Sequence, residues 1–381
     1  MLKLDLLKPL HNVYFSLGSN MGNRFECLQS AINALFEEVG TILKISSVYE
    51  TPALGFDGEP FLNCAVLLQT DLKSSKILKK ILEIEKRMGR SRNTSETYTS
   101  RPIDIDIIFI DDLVIASKSL TVPHPEMEKR KFVVQPLAEL NSQLAHPISG
   151  KNIIKILAET EDNSVLQKQS KWLSNPIKDY DISKYTYIAI EGNIGAGKTS
   201  LASKIANDFN SKLILERFKD NAFLPKFYED AVRYAFPLEM SFLADRYQQL
   251  VDDITQFDLF KESVIADYDV NKSLIFASIT LPEEEYSLYK KLFQVMHKDL
   301  PKPDMYIYLH QNTTRLLQNI KKRGRKYEQS IQAEYLQKLN VSYLEFIKNQ
   351  HSDTIKIIDI SEMDFLKNRK DYLTILKEIV S

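Results

Sequence analysis

Residues 185–200 read YTYIAIEGNIGAGKTS: an aromatic and β-branched run, a glycine-rich turn, and the start of the helical stretch KTSLASKIANDF. Within it, Gly192 to Thr199 fits G-x-x-x-x-G-K-[ST]. Glycines let backbone N–H groups turn inward on phosphate oxygens, and the helix that follows adds the positive end of its dipole. The backbone of Gly192, Asn193, Ile194, Gly195, Ala196 and Gly197 would line that cradle. Lys198 reaches the terminal phosphates, and Thr199 shares in holding Mg2+. The strand-like runs SKLILE, SVIADY, DMYIYL and TIKIIDI follow, with long helical stretches between them. This alternation predicts a parallel sheet covered by helices on both faces. A cradle of this kind follows the first strand of its domain, so the residues before it need an explanation of their own.

At 381 residues, 44% apolar and 27% charged, the chain has room for two or three globular domains. Lysine plus arginine (50) balances aspartate plus glutamate (51), so no global field favours nucleic acid or an anionic membrane. An RNA-binding reading of KKRGRK lacks the aromatic-and-glycine strand signature. The two cysteines, Cys27 and Cys64, make neither a disulfide framework nor a thiol metal site. The opening MLKLDLLKPLHNVYF carries an aspartate within its apolar run and is not a secretory signal. No apolar run approaches the roughly 18 residues of a membrane helix. A soluble, cytoplasmic protein is expected.

The first half interleaves its elements differently. NVYFSLGSN reads as a strand ending in a glycine turn, and RFECLQSAINALFEEV has helical spacing through Phe25, Leu28, Ile32, Leu35 and Phe36. ISSVYET, FLNCAVLLQT and IDIDIIFI are strands, and SSKILKKILEIEKRMG is a helix closed by Gly89. The order predicts a mixed α+β sandwich over residues 11–160. A polar seam over 161–183 joins it to a second domain over 184–381, with Trp172 packing against a neighbouring domain. In IDIDIIFI, Asp104 and Asp106 project from one strand face about 7 Å apart. Such a pair reads as Mg2+ ligands or as an exposed acidic edge. In LTVPHPEMEKRKF, His124, Arg130 and Phe132 follow a proline-fixed turn.

The second half resembles the deoxynucleoside kinase family over residues 185–381. The resemblance rests on IAIEGNIGAGKT, LILERF, NAFLPKFYED, FPLEMSFLADRYQQL and KKRGRKYEQSIQAEYLQKL. It implies ATP as co-substrate and Glu216 as the carboxylate that takes the proton of a sugar 5′-hydroxyl. It places Arg323 and Arg325 over the migrating phosphoryl, and Tyr228 and Glu328 on the 3′-hydroxyl. Glu239 and Arg246, seven residues apart on one helix face, would read the base. The family's dimers predict a homodimer. Glutamate replaces the usual glutamine at 239, and an acceptor-only carboxylate suits an exocyclic amino group, so deoxyadenosine is the expected nucleoside. Tyr268, in ADYD, stands where the family has an arginine, and Lys272 or a lid arginine is a candidate to compensate. A catalytically weak nucleotide-binding or dimerisation module is the alternative.

The first half resembles 6-hydroxymethyl-7,8-dihydropterin pyrophosphokinase over roughly residues 11–160. GSN (Gly18 to Asn20), TPALG (Thr51 to Gly55), FLN (Phe61 to Asn63), GRSR (Gly89 to Arg92), SRPIDIDIIFI and LTVPHPEMEKRKF occur in that order. The resemblance implies a ferredoxin-like α+β sandwich that transfers the β,γ-diphosphate of ATP to a pterin hydroxymethyl group, a step of folate synthesis. Asp104 and Asp106 would hold two Mg2+ ions, and Arg90 and Arg92 would clamp the phosphates. Phe61 and Phe132 would sandwich the pterin, while Asn63 reads its amide-like edge with backbone groups of Thr51 and Leu54. Glu85, His124 and Arg130 would lie near ATP. The loop NTSETYTS lacks the family's arginine, and Tyr98 stands in place of its tryptophan. The whole chain is thus expected to be α/β: the sandwich, followed by a P-loop kinase domain with a parallel sheet flanked by helices.

Overall fold

The computed structural model describes residues 9–53, 58–90, 100–217, 221–255, 261, 263–298, 300–350 and 354–381. The chain divides into two compact units, Met1–Tyr180 and Asp181–Ser381. The first contains β1 (His11–Ser19), α1 (Arg24–Glu38), β2 (Thr41–Ile45), β3 (Tyr49–Thr51), β4 (Phe61–Thr70), α2 (Ser74–Arg87) and β5 (Asp104–Ile110). The short strands β6 (Ile115–Ala116) and β7 (Thr121–Val122), the helices α3 (Lys131–Asn141) and α4 (Ile153–Glu159), and β8 (Gln167–Lys168) follow.

The sheet runs β5-β1-β4-β3-β8, with β2 also on β4, and every pairing is antiparallel. Placing β1 between β4 and β5 is the ferredoxin-like arrangement. Strand alternation gives the sheet two different faces. Tyr14, Ala65, Leu67 and Ile108 pack with Val133, Val134 and Leu137 of α3. On the other side, α1 lies on β1 and β4, and α2 on β5. Leu28, Ala31, Ile32, Leu35 and Phe36 are the buried stripe of α1, whose start is capped by Asn23 accepting from the Glu26 N–H.

The stretch predicted as a polar seam is partly built into this unit. Gln167 and Lys168 pair with β3, and Asn175 donates to the Ile42 carbonyl at 2.9 Å. Trp172 does not show the expected packing: it is 66% exposed, with the Lys168 ammonium 5.8 Å from its ring centre. An amphipathic indole satisfies itself with a neighbouring cation where no apolar surface is offered.

The second unit contains β9 (Tyr187–Gly192), α5 (Lys198–Asp208), β10 (Lys212–Ile214), α6 (Leu224–Glu229), α7 (Ala231–Thr255) and β11 (Val264–Ala266). It continues with α8 (Lys272–Thr280), α9 (Glu283–His297), β12 (Met305–His310), α10 (Thr313–Arg323), α11 (Ala333–Lys348), β13 (Ile355–Asp359) and α12 (Arg369–Val380). The sheet order is β10-β11-β9-β12-β13, all parallel. Tyr187 to Gly192 are buried without a break, as a central parallel strand requires. The chain therefore leaves β9 at a topological switch point, where ligands of open α/β sheets bind. Gly197 caps α5 at φ +91°, and an added Cβ would come 2.9 Å from Phe365 Cζ, so both backbone and space demand glycine. Among the described residues, no helix is long and apolar enough to cross a membrane.

Candidate active sites

In the first unit, register assembles the site. Gly18 lies opposite both Asn63 of β4 and Asp104 of β5, and Ser16 lies opposite Asp106. These residues point to one face and line a cavity of about 320 Å³ together with Thr51, Phe61, Arg101, Arg130 and Phe132. A Cβ on Gly18 would sit 3.0 Å from Asn63 Oδ1 and 3.5 Å from Phe61 Cδ1, so the glycine keeps that floor open. Asn63, 3% exposed, donates through Nδ2 to Thr51 Oγ1 at 2.8 Å. The Thr51 hydroxyl thus orients Asn63, in addition to the backbone role expected of it.

Asp104 and Glu85 are already engaged. Arg90 bridges Glu85 and Asp104, and Arg101 Nη1 reaches Asp104 Oδ2 at 2.8 Å. Glu85 is 2% exposed and its Oε1 accepts from the Ile105 N–H at 2.9 Å. It stands behind the pair as a brace and is not among the residues lining the cavity. His124 is likewise outside that lining; burial and then Arg130 push its imidazole down. Arg130 lies 6.0 Å from the Phe132 ring centre. Burial, then the Asp104 charge, push the Asp106 carboxyl well above the ordinary range. Two carboxylates that disfavour each other's charge fit a divalent cation between them. Among the described residues no group of three or more His, Cys, Asp or Glu converges, so phosphate oxygens would have to complete the shell. Leu54, Arg92 and Tyr98 lie outside the described residues.

In the second unit, the cradle from Gly192 to Thr199 bridges β9 and α5. Lys198 Nζ folds back on the carbonyls of Gly192 and Asn193, at 2.8 and 3.1 Å. Burial, then Lys272, push its ammonium down. Asn193 pins the loop to α11 through the Leu336 carbonyl and Asn340 Oδ1, at 2.7 and 2.8 Å. Its own Oδ1 accepts from the Ile194 N–H at 2.7 Å. Thr199 Oγ1 donates to Asp267 Oδ2 at 2.5 Å, and Asp267 Oδ1 accepts from the Glu216 N–H at 2.7 Å. Glu191, fully buried ahead of the first glycine, accepts from the Asp269 N–H and the Tyr343 hydroxyl, at 2.8 and 3.0 Å.

Glu216 follows β10. Arg246 donates to its Oε1 from Nε at 2.9 Å and Nη2 at 2.6 Å, while Lys272 Nζ donates to Oε2 at 2.6 Å. Burial pushes this carboxyl up, but Lys272 and Arg246 outweigh it and hold it well below the ordinary range. Arg246, expected to read the base together with Glu239, is bonded to Glu216 here. Both project from one face of α7, yet the arginine goes to the carboxylate that stays ionised. Glu239, 3% exposed, has Oε1 at 3.0 Å from Thr280 Oγ1, and its buried Oε2 has no hydrogen-bond partner among the described residues. Burial pushes its carboxyl up to about 7. Tyr268 is fully buried in the apolar core, its hydroxyl unpartnered among the described residues. Glu328 takes both lid arginines, Arg323 at 2.5 Å and Arg325 at 3.0 Å. Tyr228 stacks on Tyr327 at 5.8 Å between ring centres.

Reading by residue type missed the orienting hydroxyl of Thr51, the brace made by Glu85, and the buried Glu191. Arg101 was within reach of reading: it lies three residues before Asp104 in SRPID and binds it directly.

A family model for deoxynucleoside kinase matches residues 188–381, and one for 7,8-dihydro-6-hydroxymethylpterin-pyrophosphokinase matches residues 14–142. The chain is 40% identical over 201 residues to a deoxyguanosine kinase of Bacillus subtilis, covering 51% of this chain and 97% of that protein. It is 44% identical over 140 residues to a 2-amino-4-hydroxy-6-hydroxymethyldihydropteridine pyrophosphokinase of Aquifex aeolicus, covering 36% of this chain and 86% of the relative. A deoxyadenosine kinase of Dictyostelium discoideum is 34% identical over 180-odd residues, 186 in all, covering 48% and 74%.

Replacing Arg246 by Met leaves the buried Glu216 with Lys272 alone. Urea unfolding should show a loss of about 3 kcal/mol, and clearly less for Arg246→Lys, which keeps a cation in place.

Proposed function

The chain belongs to the deoxynucleoside kinase family in its second unit and to the 7,8-dihydro-6-hydroxymethylpterin-pyrophosphokinase family in its first, and on that premise we propose how each site works and what it prefers. It is a bifunctional ATP-dependent transferase. The observation that carries the residue assignment is common to both sites: phosphate-directed cations rest on carboxylates beside a cavity floor or a phosphate cradle.

In the first unit, Phe61 and Phe132 line the cavity and suit a flat pterin by stacking. Asn63, held by Thr51, offers its remaining donor and acceptor atoms to the ring edge. Asp104 and Asp106 are the residues that would hold Mg2+, and the ion would lower the charge of the triphosphate. Arg90 and Arg101 then exchange Asp104 for phosphate oxygens, with Arg130 also facing the cavity. The hydroxymethyl O–H proton passes to water, its oxygen bonds to the β-phosphorus, the bond from that phosphorus to the α–β bridging oxygen breaks, and AMP leaves.

In the second unit, Lys198 turns from the loop carbonyls to the β- and γ-phosphates, and Thr199 would help hold Mg2+. Glu216 takes the proton of the 5′-hydroxyl as its oxygen bonds to the γ-phosphorus and ADP leaves. Arg323 and Arg325 pass from Glu328 to the migrating phosphoryl, which frees Glu328 to join Tyr228 at the sugar 3′-hydroxyl.

Glu239 sets the base. Arg246 shares its helix, Lys272 and Thr280 face it from α8, Tyr289 from α9, Tyr335 from α11, and Glu216 from beyond β10. Ionised, it accepts from the amino group of adenine; protonated, it also donates and admits the carbonyl of guanine. Both purine deoxynucleosides are therefore substrates, with deoxyadenosine favoured as the carboxyl ionises. Burial pushes this carboxyl up to about 7, so both protonation states count near neutral pH.

The protein acts as a homodimer. Leu288, Leu292 and Val295 of α9 are 51%, 38% and 76% exposed at helical spacing, an apolar stripe that a second copy would cover. Two free cysteines and a balanced charge agree with a cytoplasmic protein of small-molecule substrates.

Three outcomes are expected. Across a nucleoside panel, deoxyadenosine should lead at pH 8.5, with deoxyguanosine gaining about tenfold in relative kcat/KM at pH 6; Glu239→Gln should flatten that dependence. Asp104→Asn or Asp106→Asn should cut diphosphoryl transfer by ~10²-fold or more while nucleoside phosphorylation by the same preparation persists. Leu292→Asp should convert a dimer to a monomer in light scattering.

A further inference from the structure

Glu216 is held from two sides, and the two sides are not equivalent. Each carboxylate oxygen offers two lone-pair directions. Both on Oε1 are taken by Arg246, through Nε and Nη2. Oε2 receives one hydrogen bond, from Lys272 Nζ at 2.6 Å. The second lone pair of Oε2 is the one left for an incoming proton. Lys272 is only 6% exposed and is the first residue of α8. Its charge is also felt at Lys198 of the phosphate cradle. Tyr268 cannot share this task, since its uncharged side chain is fully buried in the apolar core.

We infer that Lys272 is a positioning residue of the kinase reaction: it fixes Glu216 so that Oε2 alone faces the 5′-hydroxyl. The inference rests on the reading of Glu216 as the proton acceptor. During transfer the hydroxyl O–H bond breaks and its proton goes to Oε2. The oxygen–γ-phosphorus bond forms, and the bond to the β-phosphate breaks with ADP as leaving group. The proton on Oε2 then passes to water, which regenerates the carboxylate. The other ionisable groups around Glu216 are Arg246 and Glu239 on α7, Asp267 and Tyr268 after β11, Glu191 at the end of β9 and Lys198 on α5.

The full chain with ATP and its best nucleoside provides the test. Lys272→Met should lower kcat by ~10²-fold with nucleoside KM changed less than about threefold, while Lys272→Arg keeps activity within about tenfold. The sign of the pH effect is set by the charge removed. Lys272 depresses the Glu216 carboxyl, so without it the acid limb of kcat/KM must move to higher pH. The arginine variant should leave that limb near its original place. Circular dichroism and affinity for an ATP analogue check folding; should Lys272→Met not fold, Lys272→Ala with added ethylammonium replaces it, and recovery of kcat is then the expected result. A folded variant with an unmoved acid limb, a loss confined to KM, or no recovery with the amine overturns the inference while leaving the kinase reading intact. No nucleoside turnover by the unaltered chain overturns the kinase reading, and this inference with it.

Discussion

A carboxylate removed from water keeps its charge only if cations and hydrogen bonds replace the solvent, and that constraint shapes both sites of this protein. The same motif occurs three times. Asp104 holds Arg90 and Arg101; Glu216 holds Arg246 and Lys272; Glu328 holds Arg323 and Arg325. In each, one carboxylate lies between two cations that would otherwise repel. Around the two groups whose cations are proposed to move, an arriving triphosphate exchanges one anion for another, so desolvated charge is never left alone. Glu216 differs, because its cations are proposed to remain and set the direction and proton affinity of one oxygen.

The scaffold that holds these groups is polar inside as well as apolar. Glu191 receives the Tyr343 hydroxyl, Tyr343 stacks on Tyr308 at 5.0 Å, and the Tyr308 hydroxyl reaches Asn340 at 3.2 Å. Asn340 in turn receives Asn193 of the cradle. Main-chain donors are useful to a phosphate only when they already point at it. A buried chain of hydrogen bonds from sheet to α11 to loop is a physical means of keeping them there. In the first unit the antiparallel ladder does this work, since the Gly18 register sets Asn63 and Asp104 on either side of one side-chain-free position.

The sites also differ in how their acids are poised. Burial, opposed in part by Arg246, pushes the Glu239 carboxyl up to about 7, while the somewhat more exposed Glu216 is held ionised by its two cations. Two glutamates on neighbouring elements thus acquire opposite protonation habits from their partners, which is how a single pocket could combine base reading with proton transfer.

By itself the sequence determined the two fold classes, the cradle and the paired strand acids. These are local signals: glycines at fixed spacing, alternation of period two, helical stripes of period 3.6. It also placed the candidate residues on the elements where they are found. Tertiary structure decided who pairs with whom. Spacing put Arg246 and Glu239 on one face, but Glu216, far away in the chain, captured the arginine. Glu85 became a brace, Thr51 acquired an orienting hydroxyl, and Trp172 stayed in solvent beside Lys168. Partner choice among charges depends on burial and on distances across elements, and neither is encoded in the spacing of any one segment.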